Sequence, residues 1–167
     1  MNPVTAELKA EADRLEWDAL YSMKGQFNAA MLWNIVHYSL GVSAVVLGAI
    51  AGNQFLGDNN VMAAIIAALS ASITAVITFL KPSEKAQPHH EAGVFCAEIK
   101  RKARMFQNIS VLLETETRNL QQELNTLVTA YHENQKVAPP VPWAAYQLAR
   151  RGVRKGEHTY NEEGENK

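Results

Sequence analysis

The sequence predicts an all-α membrane protein built on a two-span transmembrane helical hairpin, with an N-terminal amphipathic helix and a long cytoplasmic C-terminal helix. All 16 Lys and Arg residues lie before Gly25 or after Leu80, and Asp58 is the only formally charged residue between these positions. Two uncharged stretches in this interval are long enough to cross a bilayer, and a turn-forming segment separates them. Charge distribution, stretch length and turn composition together predict the hairpin.

The two apolar stretches run from Met31 to Gly52 and from Val61 to Leu80. At a rise of about 1.5 Å per residue, a helix of either length covers roughly the 30 Å hydrocarbon core. Residues 53–60 read NQFLGDNN, a composition that favours a short external turn and antiparallel helices. The alternative is a soluble bundle that buries both helices, but two such stretches exceed what a domain of 167 residues normally encloses.

The segment before the first span predicts a cytoplasmic leading helix over residues 4–30. Apolar residues recur there in steps of three and four, at Leu8, Ala12, Leu15, Ala19 and Met23. This spacing is typical of an amphipathic helix that packs one face against another element.

Basic residues near the span ends predict the orientation. The turn has no Lys or Arg, whereas Lys24 precedes the first span and Lys81, Lys85 and a basic cluster at residues 100–104 follow the second. Cytoplasmic segments carry an excess of basic residues, so both termini are predicted to be cytoplasmic.

The segment after the second span predicts one long cytoplasmic helix over residues 91–135. Lys81-Pro82 is expected to end the second span, and Pro88 to mark a new start. A heptad-like seam follows, formed by Phe106, Ser110, Leu113, Thr117, Leu120, Leu124, Leu127 and Tyr131. Because two seam positions are polar, the pattern leaves open whether the helix forms a homomeric coiled coil or packs against the leading helix.

Residues 139–167 predict a short helix and a disordered tail. The segment opens with three prolines among residues 139–142, which stop the preceding helix. A basic cluster follows, made of Arg150, Arg151, Arg154 and Lys155.

Two faces within the spans hold the candidate functional residues. Ser70, Thr74 and Thr78 form a hydroxyl stripe in the second span, beside alanines repeated every four residues. In the first span, small and weakly polar residues share one face, and they are Asn34, His37, Gly41, Ala44, Gly48 and Gly52. Small faces let helices approach closely, so these residues are predicted either to pack within one hairpin or to line a pore made by several hairpins.

Asn34 and His37 are candidates for a gate, because polar residues within a span are often functional. Both stand in the first two turns of the span, where contact with water is easy. An interfacial position without a gating role is therefore the alternative.

Several function classes find no support in the sequence. The net charge is -1, with 16 basic residues interleaved among 17 acidic ones, so no nucleic-acid binding is expected. Nucleotide-binding, serine-hydrolase and zinc-protease motifs do not occur, and we predict no enzyme, no catalytic residue and no cofactor. His89, His90 and Cys96 match no strong metal-binding spacing, so no metal site is predicted.

The segment after the second span carries a family resemblance. Residues 79–86 read FLKPSEKA, and with His89, His90, Glu91, Ala92 and Gly93 they resemble the SLATT family, the SMODS and SLOG-associating two-TM effector domains of bacteria. Residues 140–142 and 146–150 are similar to the C-terminal region of that family. The resemblance covers roughly Leu8 to Glu157 as a single SLATT-like domain, residues 1–167 in all.

The resemblance implies a function. Members of the family are expected to be homo-oligomeric, pore-forming or membrane-disrupting effectors in the bacterial inner membrane. They act in anti-phage or other conflict systems, are triggered by a partner protein or a cyclic nucleotide, and cause growth arrest or cell death. The alternative is a non-conducting membrane adaptor that anchors and recruits a cytoplasmic partner.

Overall fold

The structure, a computed structural model, describes residues 3–56, 60–113 and 116–156. All regular secondary structure in these ranges is helical, which confirms the predicted all-α class there. The helices are α1 (Pro3–Leu56), α2 (Asn60–Leu80), α3 (Pro82–Met105), a π-helical turn (Phe106–Ser110), α4 (Val111–Leu113), α5 (Thr117–Val137) and α6 (Trp143–Arg154). The chain divides into two compact units, which we call the bundle unit (1–29 and 88–167) and the apolar unit (30–87).

In the apolar unit, the second part of α1 packs antiparallel to α2. The Ser70 hydroxyl donates to the Ala44 carbonyl at 2.8 Å, and the Lys85 ammonium lies 4.9 Å from the centre of the Trp33 ring. Both α1 and α2 are long and apolar enough to cross a membrane. Only 11% and 6% of the residues in their most apolar windows are buried, whereas a helix at the centre of a soluble domain has most of its side chains covered.

The turn between the apolar helices is shorter than the predicted one. Helix α1 continues to Leu56 and α2 begins at Asn60, so the prediction of a turn over residues 53–60 is wrong at both ends. No Gly or Pro interrupts α1 from Asn53 to Leu56, and Gly57 is the first residue that favours a helix end. Residues 57–59 lie outside the described residues.

Helix α2 ends at Leu80, as the Lys81-Pro82 pair predicts. Lys81 adopts a left-handed backbone with φ of 47°, and Pro82 opens α3. Proline suits the first position of a helix, because its missing N–H would have no partner there. The predicted new start at Pro88 is therefore wrong, and Pro88 lies inside α3, where it leaves the Glu84 carbonyl without its helical donor.

The core of the bundle unit is built by the first part of α1, by α3 with its π-helical turn, and by α5. The buried side chains recur every three or four residues: Ala12, Leu15 and Ala19; Cys96, Ile99, Ala103 and Phe106; Leu120, Leu124, Leu127 and Tyr131. Glu16 binds Arg104, and Gln26 binds His89, so α3 runs antiparallel to α1. Ser22 contacts Tyr131, and Gln26 contacts Pro139, so α5 runs parallel to α1.

The prediction of one helix from residue 91 to residue 135 is wrong. The Val111 N–H donates to the Phe106 carbonyl five residues earlier, in a π-type bond, and α4 ends at Leu113. Glu116 then has an extended backbone, with φ of -87° and ψ of 110°. Helix α5 folds back along α3 and packs into the same core as α1, as one of the two open alternatives predicts.

The core assignment predicts that Leu120→Ala weakens the bundle unit. Leu120 is 1% exposed, and truncating such a residue lowers the free energy of unfolding by about 2–5 kcal/mol. Cys96 is the single cysteine and is also 1% exposed, so its reaction with a maleimide reports opening of this core. In the detergent-solubilised full chain, we expect the labelling rate to rise on the order of 30-fold or more.

Leu113→Ala is the matched control, because Leu113 is 78% exposed and loses the same atoms. Its labelling rate should stay within about twofold of the unmodified chain. An equal increase in both variants would contradict the assigned core.

Candidate functional site

Ser70 lies on the contact face between the two apolar helices. Its hydroxyl donates to the Ala44 carbonyl, and a Cβ built on Gly48 would stand 3.5 Å from the Ser70 hydroxyl oxygen. Ala44, Ala51 and Ala63 are the buried residues of this contact, and bulkier neighbours such as Ile66 are half-buried. Ser70 therefore contributes to the packing of the two helices within one chain, and its hydroxyl already has a hydrogen-bond partner.

Thr74 and Thr78, the other two residues of the hydroxyl stripe, lie outside this contact face. Both are exposed in the apolar unit. The Thr74 hydroxyl donates to the Ser70 carbonyl at 3.0 Å, and the Thr78 hydroxyl to the Thr74 carbonyl at 2.9 Å. Bonds to the preceding helical turn are common for threonine in apolar surroundings, and they need no water.

The glycines of the first span lie beside the contact face. A Cβ built on Gly41 or Gly52 would meet none of the described residues within 4 Å, so neither glycine is required for packing against that part of the chain. Gly48 and Gly52 line an open groove of about 430 Å³ with Ala51, Ala63, Ala64 and Ala67, and Phe55 and Asn60 complete the lining; we call it the small-residue groove. Small side chains from both helices meet along this groove.

The two gate candidates have different surroundings. His37 is half-buried, its ring lies 5.3 Å from the Tyr38 ring, and its Nδ1 is buried without a hydrogen-bond partner among the described residues. Asn34 is exposed. Among the described residues, neither side chain forms a hydrogen bond to the hydroxyl stripe.

Sequence reasoning missed a buried polar cluster in the bundle unit, formed by Gln26, His89 and Pro139. Gln26 is 3% exposed and His89 is 5% exposed. The Gln26 amide nitrogen donates to the Pro139 carbonyl at 2.9 Å, and its amide oxygen lies 2.6 Å from His89 Nδ1. Because that oxygen can only accept, His89 carries a proton on Nδ1, and burial lowers the pKa of His89.

The same region of α1 holds the chain that follows α5. The Asn28 amide donates to the Ala145 carbonyl at 3.3 Å, and a Cβ on Gly25 would stand 3.3 Å from the Val141 side chain. Prolines at 139, 140 and 142 cannot continue a helix, so nearby carbonyls need donors from elsewhere. The Gln26 amide supplies one such donor, to Pro139, whereas the Asn28 amide bonds to the first turn of α6.

A basic groove of about 490 Å³ lies between α1 and α3, and its lining holds three basic residues, Lys100, Arg101 and Arg104, and one acidic residue, Glu98. Arg104 donates two hydrogen bonds to Glu16. Burial lowers the pKa of Lys100, and repulsion from Arg104 and Lys24 lowers it further. Lys100 forms no ion pair within the described part of the chain, so an anion in this groove would relieve its unfavourable surroundings.

The histidines and the cysteine that follow the second span do not converge. His89 bonds to Gln26, His90 lies against the Phe27 ring at 5.6 Å, and Cys96 lies in the core beside the Asn134 amide. Burial raises the pKa of the Cys96 thiol to about 11. Among the residues that the structure describes, no three His, Cys, Asp or Glu side chains form a group that could hold a metal.

Comparison of the chain with known protein families, with curated proteins and with solved structures finds no match. The resemblance to the SLATT family therefore stays a prediction.

The buried cluster predicts that acid destabilises the bundle unit through His89. In the unfolded chain His89 takes up a proton below its ordinary pKa of 6.5, whereas the folded chain takes it up only at a lower pH. The unfolded state binds more protons between these two pKa values, so the free energy of unfolding should decrease as pH falls through that interval. The urea midpoint of the detergent-solubilised chain, measured between pH about 7.5 and about 5.5, checks this.

His89→Asn keeps a donor near the position of Nδ1 but cannot titrate, so it should flatten the pH dependence of the urea midpoint. His132→Asn, the same change at an exposed histidine of α5, should leave the pH dependence as it is. If the two variants behave alike, His89 is not the group responsible.

Proposed function

We propose that this chain is a two-span protein of the bacterial inner membrane that self-associates and permeabilises the membrane, as an effector of an anti-phage or related conflict system. The observation that carries the proposal is the exposure of the apolar unit. Nearly all residues in the two apolar windows are not buried, so they need lipid or other copies of the chain around them. The role in conflict systems rests on the resemblance to the SLATT family.

One contact agrees with both ends of the hairpin lying on the same side of the membrane, and the excess of Lys and Arg outside the turn favours the cytoplasmic side. Trp33 stands at the start of the first apolar stretch and Lys85 just after the second, and the two side chains form a cation-π pair. Tryptophan and lysine both favour the boundary between lipid and water. Their pairing suits an arrangement in which both ends of the hairpin emerge on the same side.

The small-residue groove is the surface through which we expect copies to associate. In lipid, helices associate through close packing of small residues, because the lipid itself covers bulky apolar side chains well. No residue that the structure describes lies within 4 Å of a Cβ built on Gly52. A helix from a second copy of the chain could pack into the groove against Gly52.

Permeabilisation requires several copies, because one hairpin cannot enclose a path for water. Thr74 and Thr78 lie outside the contact face of the hairpin, where an assembled lumen could include them. The resemblance further implies a partner protein or a nucleotide as the trigger. The basic groove beside Lys100 is one described surface whose charge suits a nucleotide.

A second candidate function is a non-conducting membrane adaptor. The hydroxyls of Ser70, Thr74 and Thr78 all donate to backbone carbonyls of their own chain, so none of them needs a water-filled lumen. The hairpin would then serve only as an anchor for the bundle unit.

Self-association is predicted to depend on Gly52. The purified full chain, labelled at its N terminus with donor or acceptor dyes, should show Förster transfer in vesicles that increases with the protein-to-lipid ratio. Gly52→Leu fills the groove and should weaken association by about tenfold or more, because small interfacial residues permit close approach. Val45→Leu, at an exposed position outside the groove lining, is the control and should leave the transfer unchanged. Equal transfer in all three proteins would contradict this interface.

Leakage of a trapped dye from the same vesicles separates the two candidate functions. A permeabilising assembly should release the dye with a steep dependence on protein concentration, and Gly52→Leu should reduce the release. Thr74→Val and Thr78→Val keep the shape of the side chain but remove its hydroxyl, so they should slow release only if these residues face a lumen. Association without any release, including when the activating system is present, would favour the adaptor.

A further inference from the structure

Helix α6 has two faces of opposite character. Its buried face is made of small residues, Ala145, Ala149, Gly152 and Val153. On its exposed face, Trp143, Tyr146, Arg150 and Arg154 follow one another in steps of three and four residues, which places them in one stripe. Trp143 is 76% exposed and Tyr146 is 49% exposed, so neither ring is needed for packing of the bundle unit.

The charge of this face is uncompensated within the described residues. Arg150, Arg151, Arg154 and Lys155 lie close together, and residues 137–156 contain no Asp or Glu. None of these four side chains forms an ion pair with another residue that the structure describes. These four side chains can therefore bind a partner with several negative charges without first losing an ion pair to a described acidic residue.

The start of α6 is held next to the end of the polar part of α1. The Ala145 carbonyl accepts from Asn28, and Val141 packs against Gly25. Asn28 precedes Met31, the start of the first apolar stretch, by less than one helical turn. Trp143 and Tyr146 flank Ala145 in the sequence, so both aromatic residues lie near the turn of α1 that contains Asn28.

We propose that the stripe of Trp143, Tyr146, Arg150 and Arg154 binds acidic phospholipids at the cytoplasmic face of the membrane. This inference rests on the proposed membrane insertion of the apolar unit. Tryptophan and tyrosine favour the headgroup region, and arginine forms paired hydrogen bonds with phosphate. Basic side chains next to a membrane attract its anionic lipids. Aromatic and basic residues along one helix face fit this partner better than a purely apolar protein surface.

Quenching of Trp143 fluorescence by brominated lipids tests the proposal. The full chain carries three tryptophans, so Trp17→Phe and Trp33→Phe leave Trp143 as the only emitter. In nanodiscs that contain phosphatidylcholine and phosphatidylglycerol, bromine is placed on one lipid or on the other. We expect the acidic lipid to be enriched around Trp143 by about fivefold or more relative to phosphatidylcholine, since each basic residue near the surface contributes.

Replacing Arg150, Arg151 and Arg154 with Gln should abolish this preference. The matched control replaces Lys9, Arg118 and Lys136 with Gln, which removes the same charge from exposed positions on α1 and α5. This control should keep the preference for the acidic lipid. The proposal would be overturned if both lipids quenched Trp143 equally in the protein that keeps its three arginines. It would also be overturned if the control variant lost the preference for the acidic lipid.

Two further measurements separate other outcomes. Val45→Trp, made with all three native tryptophans replaced by Phe, reports insertion of the first apolar stretch. If this variant is quenched by bromine in the acyl chains while Trp143 is quenched by neither lipid, the α6 proposal fails and the proposed function stands. If the Val45→Trp variant is not quenched, the membrane insertion itself fails. Soluble glycerol phosphate should change the Trp143 fluorescence less than phosphatidylglycerol does. An equal change in fluorescence would contradict a lipid surface as the partner.

Discussion

The continuity of helix α1 constrains the rest of the structure. The helix runs from Pro3 to Leu56 without a break, although its first part is polar and its second part is apolar. Side chains before residue 30 contribute to a core with α3 and α5, whereas those after it pack only a narrow face against α2. One helix therefore has two kinds of surface, a face packed against partner helices along its first part and a largely exposed apolar surface along its second.

Much of the bundle unit follows from the spacing of apolar residues, but the reversal of the chain does not. The seam predicted over one long helix includes Phe106 and Leu120, and both are buried. Two antiparallel helices that face one core show the same three- and four-residue spacing as one continuous helix, so periodicity cannot distinguish them. The polar seam residues Ser110 and Thr117 and the 78% exposure of Leu113 mark where the seam is interrupted.

The candidate residues of the apolar unit show a similar limit. The sequence predicts which residues share a helix face, and it groups Ser70 with Thr74 and Thr78. Their division between a contact face and an exposed face depends on how each helix is rotated about its axis against its neighbour. In the observed rotation the bulky Ile66 and Ile73 are half-buried, whereas Thr74 and Thr78 are exposed. The small residues lie beside the contact between the two apolar helices, where they line the small-residue groove.

The buried cluster around Gln26 links these features, and apolar patterning alone could not reveal it. The proline-rich segment after α5 cannot form a helix, so its carbonyls need donors from outside the segment. Gln26 supplies one such donor, to Pro139, and the amide oxygen of Gln26 bonds to His89. Asn28 donates to Ala145 in the first turn of α6. Removing the Gln26 or the His89 side chain would leave buried polar atoms of the cluster without a partner. This lowers the free energy of unfolding by far more than the loss of a surface contact. The cluster therefore fixes the start of α6 against α1, and with it the exposed stripe of Trp143 and the arginines that follow.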